Sequence, residues 1–158
     1  MAAIIRQRMT HQHTGELVVF LIGMRVNQFW RLDLWLPVFR AMPRMLAELY
    51  ADPESGFLGH RLSFSSDGPL LVQYWTSRES LWAYASSLDA GHRPAWTEFN
   101  RRARRAPGVV GIWHETFEVE QAESVYVGMP VIGLAKATTA VPVGAHHDAA
   151  RPGYDAAA

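Results

Sequence analysis

Residues 16–26 read ELVVFLIGMRV, a run of β-branched and large apolar side chains of a length suited to a strand. Successive side chains on a strand point to opposite faces, so Leu17, Val19 and Leu21 go one way and Val18, Phe20 and Ile22 the other. Both faces are therefore apolar, and a strand of this kind must be covered on both sides. Gly23 and Arg25 interrupt one face near its end, where a backbone or a ligand can approach closely.

The segments that follow alternate in period. Across residues 27–52, Trp35, Val38, Phe39, Met42, Met45, Leu46 and Leu49 recur at three- and four-residue steps, which predicts an amphipathic helix. Asp33 is expected as its cap, Pro37 in its first turn, and Pro43 as a kink or break. FLGHRLSF (57–64) and LLVQYWT (70–76) predict two strands, with Asp67-Gly68 at the centre of the hairpin between them. His60 shares a face with Leu58, Leu62 and Phe64, which favours a hydrogen-bonded core or interface histidine. Thr76-Ser77-Arg78-Glu79 fits a capping box with Thr76 as the cap, opening a helix with Leu81, Trp82, Ala85 and Leu88 on one face. Asp89-Ala90-Gly91 interrupts that helix; His92 falls in the break, and Pro94 restarts the helix ahead of Trp96, Phe99 and Asn100. Arg101, Arg102, Arg104 and Arg105 are expected as solvated charges complementing a helix end. VVGIWHETFEV (109–119) predicts the closing strand, with His114 on the face of Val110 and Ile112, and Glu115 on the other with Trp113 and Phe117. Residues 124–129 predict a short further strand.

With 158 residues, 49% of them hydrophobic, the chain can bury one domain's core. We expect a flexible N-terminal arm (1–15), the folded domain (16–133), and a largely disordered C-terminal arm (134–158) rich in small residues, Pro and Gly. Fifteen Lys plus Arg against fifteen Asp plus Glu give no electrostatic reason to bind nucleic acid or acidic membranes. The absence of cysteine excludes disulfides, thiolate nucleophiles and zinc–thiolate sites. No apolar run approaches the ~20 residues of a membrane span, and the first residues do not read as an export signal, so a cytoplasmic protein is expected. The pairs His11/His13 and His146/His147 lie in polar terminal segments and are expected as solvated tails, so no metal is expected.

Strand, helix, strand, strand, helix, strand is the split βαβ order of ferredoxin-like α+β domains, whose antiparallel sheet takes helices on one face. The first and last strands are apolar on both faces, yet no helix remains for the second face. Two such sheets packed face to face across a twofold axis, a homodimeric α+β barrel, remove the conflict. The pocket is then expected between sheet and helices.

The run YWTSRESLWAYASSLDAGHRPAW resembles the pattern of the dimeric α+β barrel superfamily, in which a strand ending in an aromatic leads into a Ser/Glu-capped helix followed by a His. That superfamily includes antibiotic-biosynthesis monooxygenases, which oxidise polyketide-like substrates with dioxygen and often without metal or flavin. It also includes haem-degrading monooxygenases and the related aldoxime dehydratases. VVFLIGMRVN, LPVFRAMPRMLAELYADPESGFLG, LLVQYW, HRPAW and GIWHETF are similar to a bacterial and fungal monooxygenase-like family, over residues 15–133. By that resemblance His92 stands where the haem-degrading branch keeps its iron ligand, whereas the asparagine that branch carries on its first strand has only Asn27, at the strand's extreme end, as a counterpart.

The resemblance implies a monooxygenase of secondary metabolism acting on a hydrophobic, polyketide- or terpenoid-like or aromatic metabolite, with no cofactor. Such chemistry needs a dry aromatic cavity, a base, and donors for a developing oxyanion. His92 or His114 is expected as the base with Asn100 as a partner, and Trp96, Trp75, Tyr74, Trp82, Phe39, Met42 and Arg25 as substrate contacts. The alternatives are a haem enzyme with His92 as axial ligand, and a non-catalytic binding or structural dimer.

Overall fold

The computed structural model describes residues 3–87 and 92–144, apart from the side chains of residues 92–96. In chain order the elements are β1 (Met9–Gln12), β2 (Val18–Val26), α1 (Leu32–Ala51), a 3-10 turn (Pro53–Ser55), β3 (Phe57–Ser65), β4 (Gly68–Trp75), α2 (Arg78–Ser86), α3 (His92–Arg105), β5 (Val110–Glu118), α4 (Gly133–Ala137) and β6 (Thr139–Pro142). They fall into two compact units: residues 15–120, and the two chain ends, up to residue 14 and from residue 121 onward.

The larger unit is a ferredoxin-like α+β fold, an antiparallel sheet of order β3-β4-β2-β5 carrying α1, α2 and α3. The long apolar strand β2 sits centrally, paired with β4 from Val18↔Trp75 to Gly23↔Leu70 and with β5 from Val18↔Glu118 to Val26↔Val110. This register puts Val18, Phe20, Ile22, Leu71, Gln73, Trp75, Ile112, His114 and Thr116 on one face, and Val19, Leu21, Val72, Tyr74, Trp113, Glu115 and Phe117 on the other.

Several local expectations are corrected. Helix α1 starts at Leu32 with Arg31 at its N-cap, which makes no side-chain cap bond; Asp33 lies in the first turn and pairs instead with Arg31. Pro37 and Pro43 both lie inside this continuous helix. A proline at 37 has no N–H for the carbonyl of Asp33 four residues back, and the guanidinium of Arg102 on α3 hydrogen-bonds that carbonyl. The carbonyl freed by Pro43 belongs to Phe39, an exposed residue within reach of water. The cap of α2 is Ser77, whose hydroxyl accepts from the N–H of Ser80 at 3.1 Å; Thr76, one residue earlier, hydrogen-bonds the Ser80 hydroxyl. In the hairpin, Ser65 pairs with Gly68, so Ser66 and Asp67 form the turn and Gly68, at φ +123°, opens β4.

The core gathers Val18, Leu49, Trp75 and Leu81, with Phe20, Phe57 and Tyr84 packed around them. Trp75 is fully buried, meets Phe57 edge-on at 5.2 Å, and donates its indole N–H to the side-chain oxygen of Gln73 at 3.0 Å. Gln73 is thus a buried amide whose oxygen is satisfied by its neighbour on the same strand face. This packing occupies the β4 side of the sheet, whereas β5 carries no buried residue at all. Its helix-facing side chains border open space.

In the smaller unit β1 pairs antiparallel with β6, from Met9↔Pro142 to Gln12↔Thr139, with α4 beside them. Residues expected in terminal arms thus contribute a strand pair. The further strand expected at 124–129 is replaced by isolated bridges of Tyr126 to Met9 and of Met129 to Ile5. The imidazole of His11 is hydrogen-bonded to Ser124 at 2.8 Å. The expectations for His146 and His147 lie outside the described residues.

Candidate active site

The open space over β2 and β5 is a cavity of about 850 Å³. Its floor is Phe20 and Ile22 from β2 with Ile112, His114 and Thr116 from β5. Residues of α1 from Pro37 to Glu48 form one wall, and Leu81, Trp82 and Ala85 of α2 with Glu98, Phe99 and Arg102 of α3 form another. The α1 contribution follows from helical period: Val38, Ala41, Met42 and Met45 recur at steps of three and four. Aromatic, aliphatic and thioether groups thus make up most of the lining, with a few polar groups converging on it, as in sites for apolar small molecules.

His114 is the histidine of this floor. Its ring lies 5.6 Å from that of Phe20, tilted by 38°, and Thr116 stands two residues along on the same strand face. Glu115 points to the opposite side of the sheet, in line with the alternation. Trp82 lies at the cavity edge, 54% exposed, with the guanidinium of Arg78 at 4.2 Å over its ring and Arg78 also paired to Glu118 at 2.9 Å.

Of the other expected site residues, Met42 lines the cavity. Trp75 is sealed in the core, because its strand position faces the helices where Leu49, Leu81 and Tyr84 fill the space. Tyr74 is on the opposite face of the sheet. Phe39 of α1, exposed at the surface, and Asn100 of α3 are not among the described residues that line it. Arg25 is engaged at the far end of β2 with Asp67 and Asn27. His60 binds the Tyr50 hydroxyl at 3.0 Å and stacks on Phe57 outside the cavity. His92 is the first residue of α3, and Trp96 lies within that helix; their side chains, and the break at residues 88–91, are outside the described residues.

The charged members were not legible as site residues. Arg102 is half-buried and bridges Glu98 to the Asp33 carbonyl, so it is structural as well as cavity-lining. Hydrogen bonds from Arg101, and then Arg102, hold the Glu98 carboxyl down at about 2. Arg40, Arg44 and Glu48 follow one another at four-residue steps along the α1 wall. The Glu48 carboxylate faces Tyr84, whose phenol is pushed up to about 12, first by burial and then by that carboxylate. Periodicity alone could have placed these three beside Met42 and Met45. Among the described residues no cluster of three or more metal-ligating side chains occurs.

Residues 17–134, three quarters of the chain, match the model of the family described as monooxygenase af470-like. The chain belongs to that family. Solved structures of low sequence identity share its fold. Aldoxime dehydratase (OxdRE) with bound butyraldoxime is 16% identical at a TM-score of 0.58, over 74% of this chain and 37% of that one, a likeness of fold. SnoaB, a cofactor-independent oxygenase from Streptomyces nogalater, is 17% identical over 68% of this chain and 97% of its own, at a TM-score of 0.48. A dimeric ferredoxin-like protein of unknown function from Thermobifida fusca YX is 15% identical over 68% and 95%, at 0.46. No curated protein matches in sequence.

Proposed function

We propose that this monooxygenase af470-like protein oxygenates a hydrophobic, polyketide- or terpenoid-like or aromatic metabolite inside the cavity over β2 and β5, using dioxygen and His114 as the base. The observation that carries the reading is an imidazole on the floor of a large apolar cavity, with a hydroxyl, that of Thr116, two residues away on the same strand face. An imidazole exchanges a proton near neutral pH without a large perturbation. His114 takes a proton from a carbon acidified by an adjacent carbonyl or arene. The carbanion transfers one electron to dioxygen, and the resulting radical pair combines into a carbon–oxygen bond. The imidazolium returns its proton to the peroxide anion, and the resulting hydroperoxide loses water to leave a ketone. One oxygen atom stays in the product and one leaves as water, so no external reductant is required. Thr116 donates to the oxyanion as charge develops.

The second face of the sheet supports a homodimer, since Trp113 and Phe117 stand 38% and 49% exposed there beside Val19 and Leu21. Haem with His92 as axial ligand is the alternative occupant of this fold; nothing described in the cavity favours it, and a Soret band abolished by His92→Ala would establish it.

The test is oxygen uptake and anthraquinone formation with anthrone, an apolar tricyclic ketone with an acidic methylene, as the probe. His114→Phe is expected to lower turnover by about 100-fold or more. Full activity in His114→Phe would remove the base from the mechanism, and no anthrone-dependent uptake by the wild type would overturn the oxygenase reading.

A further inference from the structure

Two guanidinium groups of the α1 wall are unaccounted for. Arg40 and Arg44 both line the cavity, and neither has an ion-pair or hydrogen-bond partner among the described residues. The other charges of the lining are engaged: Arg102 with Glu98 and the Asp33 carbonyl, and Glu48 beside Tyr84. Residues four apart on a helix bring their Cβ atoms within about 6 Å. Two forks of donors can then converge on one planar anion, the geometry for which arginine is suited above lysine. Pro43 lies between them within the helix, and Ala41, Met42 and Met45 flank them with apolar surface.

We propose that the substrate is a carboxylic acid: its carboxylate is held by Arg40 and Arg44, and its apolar body extends to the His114 floor. This rests on the cavity being the oxygenation site and adds the substrate's charge. A neutral metabolite makes no charge-assisted bond to these two cations. An acid gains charge-assisted bonds, and its carboxylate fixes which carbon meets His114. Both arginines are exposed, so the bond pair forms where water competes, and a moderate preference is expected.

The test is binding of two matched fluorescent probes, 9-anthracenecarboxylate and 9-anthracenemethanol, to the full chain, followed by anisotropy. The wild type is expected to bind the carboxylate about tenfold more tightly than the alcohol. In the Arg40→Gln/Arg44→Gln variant that preference should vanish, with alcohol affinity unchanged; retained alcohol binding also shows that the variant is folded. Equal binding of both probes by the wild type overturns the acid assignment and leaves the oxygenation cavity standing. Carboxylate preference that survives the double substitution assigns the charge recognition elsewhere and likewise overturns it. Failure of both probes to bind overturns the apolar cavity and the acid assignment together.

Discussion

The indole of Trp75 is fully buried and hydrogen-bonded, so its replacement tests the core directly. Its neighbours and its strand position make it core, and the bond to Gln73 makes it a polar link as well. Gln73 is 5% and Trp75 0% exposed, so replacing Trp75 with Phe leaves the Gln73 oxygen buried without its 3.0 Å donor. That orphaned acceptor costs about 1–3 kcal/mol. The lost part of the indole, packed between Phe57 and Tyr84, adds about 1–2 kcal/mol. A destabilisation of about 3 kcal/mol is therefore expected. With a urea m-value of about 2 kcal/mol/M this shifts the midpoint by about 1.5 M. Gln73→Met alone leaves the indole N–H buried and unpaired, so it too destabilises. In the double variant both polar partners are gone, and its cost should fall short of the sum by about 1–2 kcal/mol. Urea unfolding of the four proteins, followed by far-ultraviolet circular dichroism, measures this. Additivity within about 0.5 kcal/mol would refute the argued link. Folded Trp75→Phe should still bind 9-anthracenemethanol with wild-type affinity, and loss of that binding would put Trp75 back in the site.

Two further outcomes follow from local geometry. Tyr84 should titrate near 12 in a spectrophotometric titration at alkaline pH, and Glu48→Gln should lower that value by removing the second of its causes. Because the folded phenol keeps its proton to higher pH than the unfolded one, whose pKa is about 10, its contribution is fully present below pH 10. It is lost as pH rises from there to about 12; an unfolding midpoint independent of pH across that window would contradict the assignment. Gly68→Ala should destabilise by about 2 kcal/mol or more, since Gly68 holds φ +123° and an added Cβ would collide with the backbone oxygen of Met24; a thermal melt within a degree of wild type would show that the hairpin relaxes freely.

The strand and helix order, the two-faced apolar character of β2 and the alternation that separates His114 from Glu115 were all contained in the local pattern, because periods of two and of three to four residues are properties of the chain itself. The ferredoxin-like arrangement followed from that order, since few ways of closing such a sheet exist. Capping positions were legible to within one or two residues: Ser77 and Thr76 both carry hydroxyls, and only backbone geometry chooses between them.

Tertiary packing decided the rest. Trp75 and His114 face the same side of the sheet, one sealed in the core and one on a cavity floor, because the helices fill the space above β4 and leave it open above β5. No periodicity encodes that difference. Pro37 reads as a first-turn residue until Arg102, 65 positions later, is seen to take up the carbonyl it releases. The strand pair of β1 with β6 joins segments with little apolar pattern of their own, and backbone hydrogen bonds between distant segments leave little trace in composition. What the sequence determined by itself was which surfaces must be buried; which of them enclose a cavity, and which charges line it, depended on contacts between residues far apart in the chain.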